Sequence, residues 1–270
     1  MKSRSYWGVI LGLVLLATVE QAFASSYAYM LDSVSVTGQL NFVDDFNGSS
    51  LSSDWEITEG TVVVAGGFAT LSNPGTKSPG SVGGVSFIEE DSFFQSTFSI
   101  LDGGGSFVTT AIWQEGAPRI NEFFSFEIVD HTATGLTQTI GLFVAHLAPN
   151  LAGAVGLPTG PIIFFNKRTD LDSGGATESF SGVSIPSDTT APIMLRLSFD
   201  DSSDLFTGSY NLGEAWVGFS PVSFDPGGAG SFHLGLNGES IQVVPLPAAF
   251  WLFGSSLFGL LGLARGKKSG

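Results

Sequence analysis

The chain has 270 residues, with 10 Lys and Arg against 25 Asp and Glu, a formal net charge of −15, and no cysteine. An acidic surface repels phosphate backbones and anionic headgroups, so no nucleic-acid partner is expected. The lack of cysteine excludes disulfides, thiolate metal sites, a Cys nucleophile and a lipid-modified N-terminal Cys.

In chain order, the first element is an address. Met1-Lys2-Ser3-Arg4 is basic, an apolar run follows from Tyr6 to Val19, and Ala22-Phe23-Ala24 supplies an A-x-A site. These are the three parts of a secretory signal peptide over residues 1–24, with Ala22 and Ala24 at the cleavage site and a signal helix expected before it. A retained anchor is the alternative. Glu20 argues against it by ending the run short of the ~20 residues that span a bilayer.

Residues 25–242 read as one all-β domain. Strands are expected at Val34–Phe42, Thr61–Ala65, Phe68–Ser72, Val85–Ile88, Phe93–Ile100, Phe107–Trp113 and Phe123–Val129. Further strands are expected at Ile140–Leu147, Ile162–Phe165, Ile193–Phe199, Leu205–Tyr210, Ala215–Phe219 and Ser231–Asn237. Alternation such as Met194-Leu195-Arg196-Leu197-Ser198-Phe199 sets one face on a core and one in water. Gly66-Gly67, Gly103-Gly104-Gly105 and Gly227-Gly228 supply turns. No long helical stripe with caps interrupts the strands, so the expected fold is an antiparallel β-sandwich or jelly roll, its 24 Phe filling the space between two sheets.

Chemistry is sparse. Retaining glycosidases need two carboxylates ~5 Å apart. The nearest local pair, Glu127 and Asp130, falls on opposite strand faces, as do Glu122 and Glu127. His131, His146 and His233 form no H-x-H or H-E-x-x-H array, and there is no G-x-S-x-G elbow. Asp44-Asp45-Phe46-Asn47 gathers oxygens beside a turn, which makes Asp44 and Asp45 the candidate metal ligands and calcium the candidate cofactor. Asx turns are the alternative reading of that cluster. Asp200-Asp201-Ser202-Ser203-Asp204 is a second such loop. Trp113, Tyr210 and Trp216 are candidate sugar platforms, with the core as their competing destination.

The last element, residues 243–270, is again an address. Leu246 to Ala264 is uncharged and long enough for a marginal transmembrane helix. Arg265, Lys267 and Lys268 follow at once, and such a basic stop stays cytoplasmic and holds the body outside.

Val244-Pro245-Leu246-Pro247, the Gly- and Phe-rich apolar stretch and the Arg-Gly-Lys-Lys end together resemble the PEP-CTERM sorting signal in its VPLP form. Leu246 stands where the motif has Glu, and Gly266 interrupts the basic run. The resemblance covers about the last 27 residues. It implies an exosortase as processing partner, removal of the helix, and delivery to the cell envelope or an exopolysaccharide matrix. An ordinary single-pass membrane anchor is the alternative. Asp44-Asp45-Phe46-Asn47-Gly48 with Trp55, and Leu195 to Asp200 leading to Thr207-Gly208-Ser209-Tyr210 and Gly213-Glu214-Ala215-Trp216, resemble segments of concanavalin A-like (laminin-G-like) jelly rolls. The resulting expectation is an exported, non-catalytic matrix protein associating with polysaccharide. A specific lectin and a glycoside hydrolase of the same fold are its alternatives.

Overall fold

A computed structural model describes residues 27–72, 77–82, 85–100, 105–131, 137–170, 176–190, 192–224 and 231–243. The expected signal peptide with Ala22 and Ala24, the segment Val244 to Pro247, the apolar stretch after it, and Arg265, Lys267 and Lys268 lie outside these residues. Among the described residues no helix is long and apolar enough to cross a membrane.

The strands in chain order are β1 (Ala28–Thr37), β2 (Phe42–Asp44), β3 (Trp55–Glu59), β4 (Thr61–Ala65), β5 (Phe68–Ser72) and β6 (Lys77–Val82). Then come β7 (Val85–Ser96), β8 (Phe107–Trp113), β9 (Glu122–His131) and β10 (Thr137–Leu147), followed by a short helix, α1 (Pro149–Val155). The remainder is β11 (Gly160–Asp170), β12 (Ala176–Ser184), β13 (Ile193–Asp200), β14 (Leu205–Asn211), β15 (Val217–Gly218), β16 (Val222–Ser223) and β17 (Ser231–Val243). They form two antiparallel sheets. One runs β15-β14-β13-β8-β1-β5-β4, with β16 beside β14 and β2 beside β1. The other runs β12-β11-β10-β9-β17-β7-β3, with β6 also pairing β7. The expected antiparallel β-sandwich is what the chain forms.

Period two decides what enters the core. The first sheet turns Ile193, Leu195, Leu197 and Phe199 of β13 inward, and the second turns in Phe124, Phe126 and Ile128 of β9 and Phe232, Leu234 and Leu236 of β17. Gly208 of β14 lies at a tight contact between the sheets. A Cβ there would stand 2.6 Å from Phe165 Cδ2 and 3.0 Å from Leu142 Cδ2, so only glycine lets both side chains cross the gap.

Four differences from the sequence expectation have physical causes. The strand placed at Val34–Phe42 starts at Ala28 instead, because a register shift between Leu31 and Ser33 flips the inward parity from Tyr29 and Leu31 to Val34 and Val36. The strands expected at Val85–Ile88 and Phe93–Ile100 are one strand, β7, since Glu89-Glu90-Asp91-Ser92 continues the pairing with β17 instead of turning. Polar β12 was not expected, and it pairs with β11 from Asp170↔Ala176 to Ile162↔Ser184. Finally, the body contains α1, entered by Pro149 and ended by Gly156 at φ 73, with Leu151 and Ala152 buried.

Candidate functional site

The strand parity that fills the core also sets out the opposite face of the second sheet. On β9 the outward residues are Phe123, Ser125, Glu127 and Val129, while Glu122 turns inward and accepts from Tyr29 Oη at 3.3 Å. Glu122 and Glu127 therefore do face opposite ways. Glu127 instead shares the outer face with carboxylates of β17 and β7, and its charge acts on Glu239. Register brings Glu239 of β17 directly opposite Asp91 of β7 and Phe123 of β9, and Ile241 opposite Glu89. Three strands thus bring Glu89, Asp91, Glu127 and Glu239 to one outer face, an assembly that no local spacing encodes.

Burial gives these groups unusual protonation. Glu127, 9% exposed, has its carboxyl pushed up to about 7 by desolvation, against the opposing pull of the Ser125 hydroxyl it accepts from and the positive charge of Arg168. Glu239, 7% exposed, is raised well above the ordinary Glu value by desolvation and by the negative charges of Asp91 and Glu89. Asp91 and Glu239 share a hydrogen bond, which favours charge on Asp91 and a proton on Glu239, so Glu239 donates to Asp91. Glu89 and Asp91 are themselves raised by desolvation.

Two glycines make room for this row. Glu127 is paired with Gly141 on one side and Gly235 on the other. A Cβ on Gly141 would lie 2.7 Å from Glu127 Cγ and 2.8 Å from Phe143 Cε2, and a Cβ on Gly235 would lie 2.8 Å from Phe93 Cζ. Both side-chain layers rest on bare backbone.

The result is a groove with two connected parts. The acidic part encloses about 430 Å³ and is lined by Glu89, Glu127, Glu239, Asn166, Asn237 and Arg168. The apolar part encloses about 260 Å³ between Phe123, Phe143, Phe164 and Phe180 and the wall formed by Val155 and Leu157 at the end of α1. Phe123, Phe143, Asn166 and Ile241 border both parts. Phe143 and Phe164 are cross-strand partners whose rings stack at 4.9 Å and 7°, and Phe180 is 52% exposed. Asn166 Oδ1 and Asn237 Oδ1, which line the acidic part, are buried from solvent and have no hydrogen-bond donor among the described residues. A buried acceptor without a partner costs about 1–3 kcal/mol, so these oxygens are poised to take donors from a ligand.

Other depressions offer less. One of about 270 Å³ beside Thr37, Phe107 and Thr207 includes Asp200, whose oxygens already accept from Ser202 and Ser203. Another, of about 510 Å³, lies among Pro186, Asp188, Thr190, Glu214 and Val217, and no orphaned acceptor lines it.

The residues singled out from sequence are dispersed. Asp44 Oδ1 accepts from Phe46 N at 2.9 Å and Oδ2 from Trp55 Nε1 at 2.7 Å, while Asp45 accepts from the backbone and side chain of Asn47. That is Asx-turn geometry, and no set of three or more acidic or histidine side chains among the described residues is arranged to hold a metal. Trp113 is fully buried and Tyr210 is 8% exposed, both in the core, so neither serves as a platform. Trp216 carries Arg196 over its ring at 3.6 Å on the first sheet. His146 Nδ1 sits 3.2 Å from the Pro118 carbonyl and His233 Nδ1 2.8 Å from that of Ser96, each away from the groove. The His131 side chain lies outside the described residues.

No protein-family profile matches the chain, and no curated protein matches its sequence. Among solved structures it is similar to an endo-1,3-beta-glucanase from Streptomyces sioyaensis, at 14% identity over 78% of this chain and 90% of that one, with a TM-score of 0.44. It is similar to a legume lectin-like domain from Entamoeba histolytica, at 8% identity over 71% and 91%, TM-score 0.44. A third is basic winged bean lectin, at 10% identity over 82% and 100%, TM-score 0.39. The two-sheet architecture rests on the hydrogen-bonded registers of this chain itself.

Proposed function

We propose that the protein is an exported, concanavalin A-like polysaccharide-binding component of the cell envelope, which holds glycan along the outer face of its second sheet. One observation carries this reading: flat Phe143 and Phe164 rings adjoin donor-starved acceptors in a single groove. A pyranose has an apolar C–H face and an equatorial belt of hydroxyl donors, so it complements both halves. The two-part groove is open along the sheet, which suits a chain of sugars held through several modest contacts.

The ends supply location. The signal peptide with Ala22 and Ala24 directs export, and Val244 to Pro247, the apolar stretch and the basic stop at Arg265, Lys267 and Lys268 direct exosortase processing. The inner membrane is the transient partner and the exopolysaccharide matrix the final one. In this role the protein binds without cleaving.

A specific observation keeps hydrolysis as the second reading. A Glu127 carboxyl near 7 has the protonation of a general acid, and other carboxyl groups lie beside it. The test is to titrate the full chain, held in a non-glycosidic detergent, across a glycan array and to follow reducing ends in the same samples. Saturable binding without new reducing ends supports the first reading. Release of reducing ends that disappears in Glu127→Gln supports the second, and no binding at all refutes both.

A further inference from the structure

The charge balance of the groove narrows the ligand further, on the premise that it is a glycan. Glu89, Glu127 and Glu239 line the acidic part and Asp91 supports it from behind Glu239, while Arg168 is the cation lining the groove. Glu127 and Glu239 are each more than nine-tenths buried, so their polarity is not spent on bulk water. Independently of the carboxyl groups, Asn166 and Asn237 border the same space, and their Oδ1 atoms lack donors among the described residues. Arg168 apart, these groups favour a cationic donor: the two amide oxygens accept hydrogen bonds, and an arriving positive charge favours the ionised form of Glu127 and Glu239. Uronate, sulfated or phosphorylated glycans bring the wrong sign. Neutral sugars bring hydroxyl groups, which supply as many acceptors as donors and add no positive charge to the carboxyl cluster. A protonated amine is donor-only, with three N–H bonds and one charge.

We propose that the groove binds an amino-sugar polymer with free amines: the ammonium of a hexosamine unit sits among Glu89, Glu127 and Glu239, and the apolar face of the adjoining unit lies on Phe143 and Phe164. The apolar and acidic parts share Phe123, Phe143, Asn166 and Ile241, so neighbouring sugars of one chain occupy both.

The experiment is calorimetric titration of the full chain in a non-glycosidic detergent with three β-1,4-linked oligomers of equal length. These are the glucosamine oligomer, its fully N-acetylated form, and the neutral glucose oligomer. The free-amine oligomer is expected to bind at least about tenfold tighter than either, the worth of one charge-assisted hydrogen bond. That advantage should shrink as ionic strength rises from about 0.05 M to about 0.5 M. It should shrink also in Glu127→Gln and in Glu89→Gln, the second being half-buried at the groove and so the safer variant for folding. Equal binding of the three oligomers, or tighter binding of the acetylated or neutral one, overturns the amine preference and leaves the glycan reading standing. Binding of none overturns both.

Discussion

Gly141→Ala tests whether the groove is built on bare backbone. The added methyl carbon would stand 2.7 Å from Glu127 Cγ and 2.8 Å from Phe143 Cε2, against the ~3.5–4.0 Å of ordinary carbon contact. Each neighbour must therefore retreat by about 1 Å. Overpacking of this kind costs ~1–3 kcal/mol, partly offset by the ~0.5–1 kcal/mol that alanine gains over glycine within a strand. Both displaced atoms belong to outward side chains with the groove to move into, so the net stability loss should stay below ~2 kcal/mol. The groove itself should suffer more. Phe143 leaves its 4.9 Å stack on Phe164, and Glu127 leaves the Ser125 hydroxyl. Together these weaken glycan binding by about tenfold or more, given ~0.5–1.5 kcal/mol for the ring pair and ~1 kcal/mol for the hydrogen bond. Urea denaturation and oligosaccharide titration read the two effects separately. Gly153→Ala is the control: nothing lies within 4 Å of its Cβ position on α1, so it should leave binding unchanged and stability equal or higher. Wild-type affinity in Gly141→Ala would refute the assignment of Glu127 and Phe143 to the site.

Other outcomes follow from the same structure. Gly208→Ala drives a methyl carbon to 2.6 Å from Phe165 in the closed core, where nothing opens outward, and should cost ~1–3 kcal/mol in urea denaturation with no rescue by ligand. Stability should fall as pH rises from ~4.5 to above 7, because Glu127 and Glu115 hold protons in the fold up to about 7 that the unfolded chain releases near the ordinary Glu value. The sign is that of a raised carboxyl: the contribution is fully present below the unfolded value and lost through the folded one, on the order of 3 kcal/mol for Glu127 and less for the more solvated Glu115. Glu127→Gln should flatten part of this slope in melting curves taken between pH 5 and pH 8 (about the limits of the window), and an equally steep slope in the variant would contradict the assignment. Intact-mass measurement of the exported protein should find Ser25 at the N-terminus and the segment from about Leu246 onward removed; a mass that retains Leu246 to Gly270 would favour a permanent anchor.

The fold was legible wherever apolar residues alternate. Ile193, Leu195, Leu197 and Phe199 announce an inward face directly, as do Phe124, Phe126 and Ile128. It became illegible where another rule overrode alternation. The register shift after Leu31 hid the first half of β1, and the acidic run Glu89 to Ser92 interrupts the apolar pattern although it forms the middle of β7. That second misreading also concealed the site, because Glu89 and Asp91 look solvated when their strand is unrecognised. Local spacing correctly separated Glu122 from Glu127. It could not bring Glu239 to Asp91, a partnership set by β17 entering between β7 and β9. One sequence signal was available: Gly141 and Gly235 each interrupt an otherwise well-filled strand, and glycine inside a strand marks close approach. Trp113 and Tyr210 turn into the core, and the aromatic pair proposed as the platform, Phe143 and Phe164, consists of outward residues on strands whose other face is core.

The most direct measurement is saturable binding of a polysaccharide fragment to the wild type and to a Phe143→Ala/Phe164→Ala double variant, with folding of the variant verified by its denaturation midpoint. Both rings face outward and partly exposed, so the double variant should fold and lose at least about tenfold in affinity through the missing stacking surface. Unchanged affinity in a folded double variant would place the glycan elsewhere on the protein and contradict the central claim.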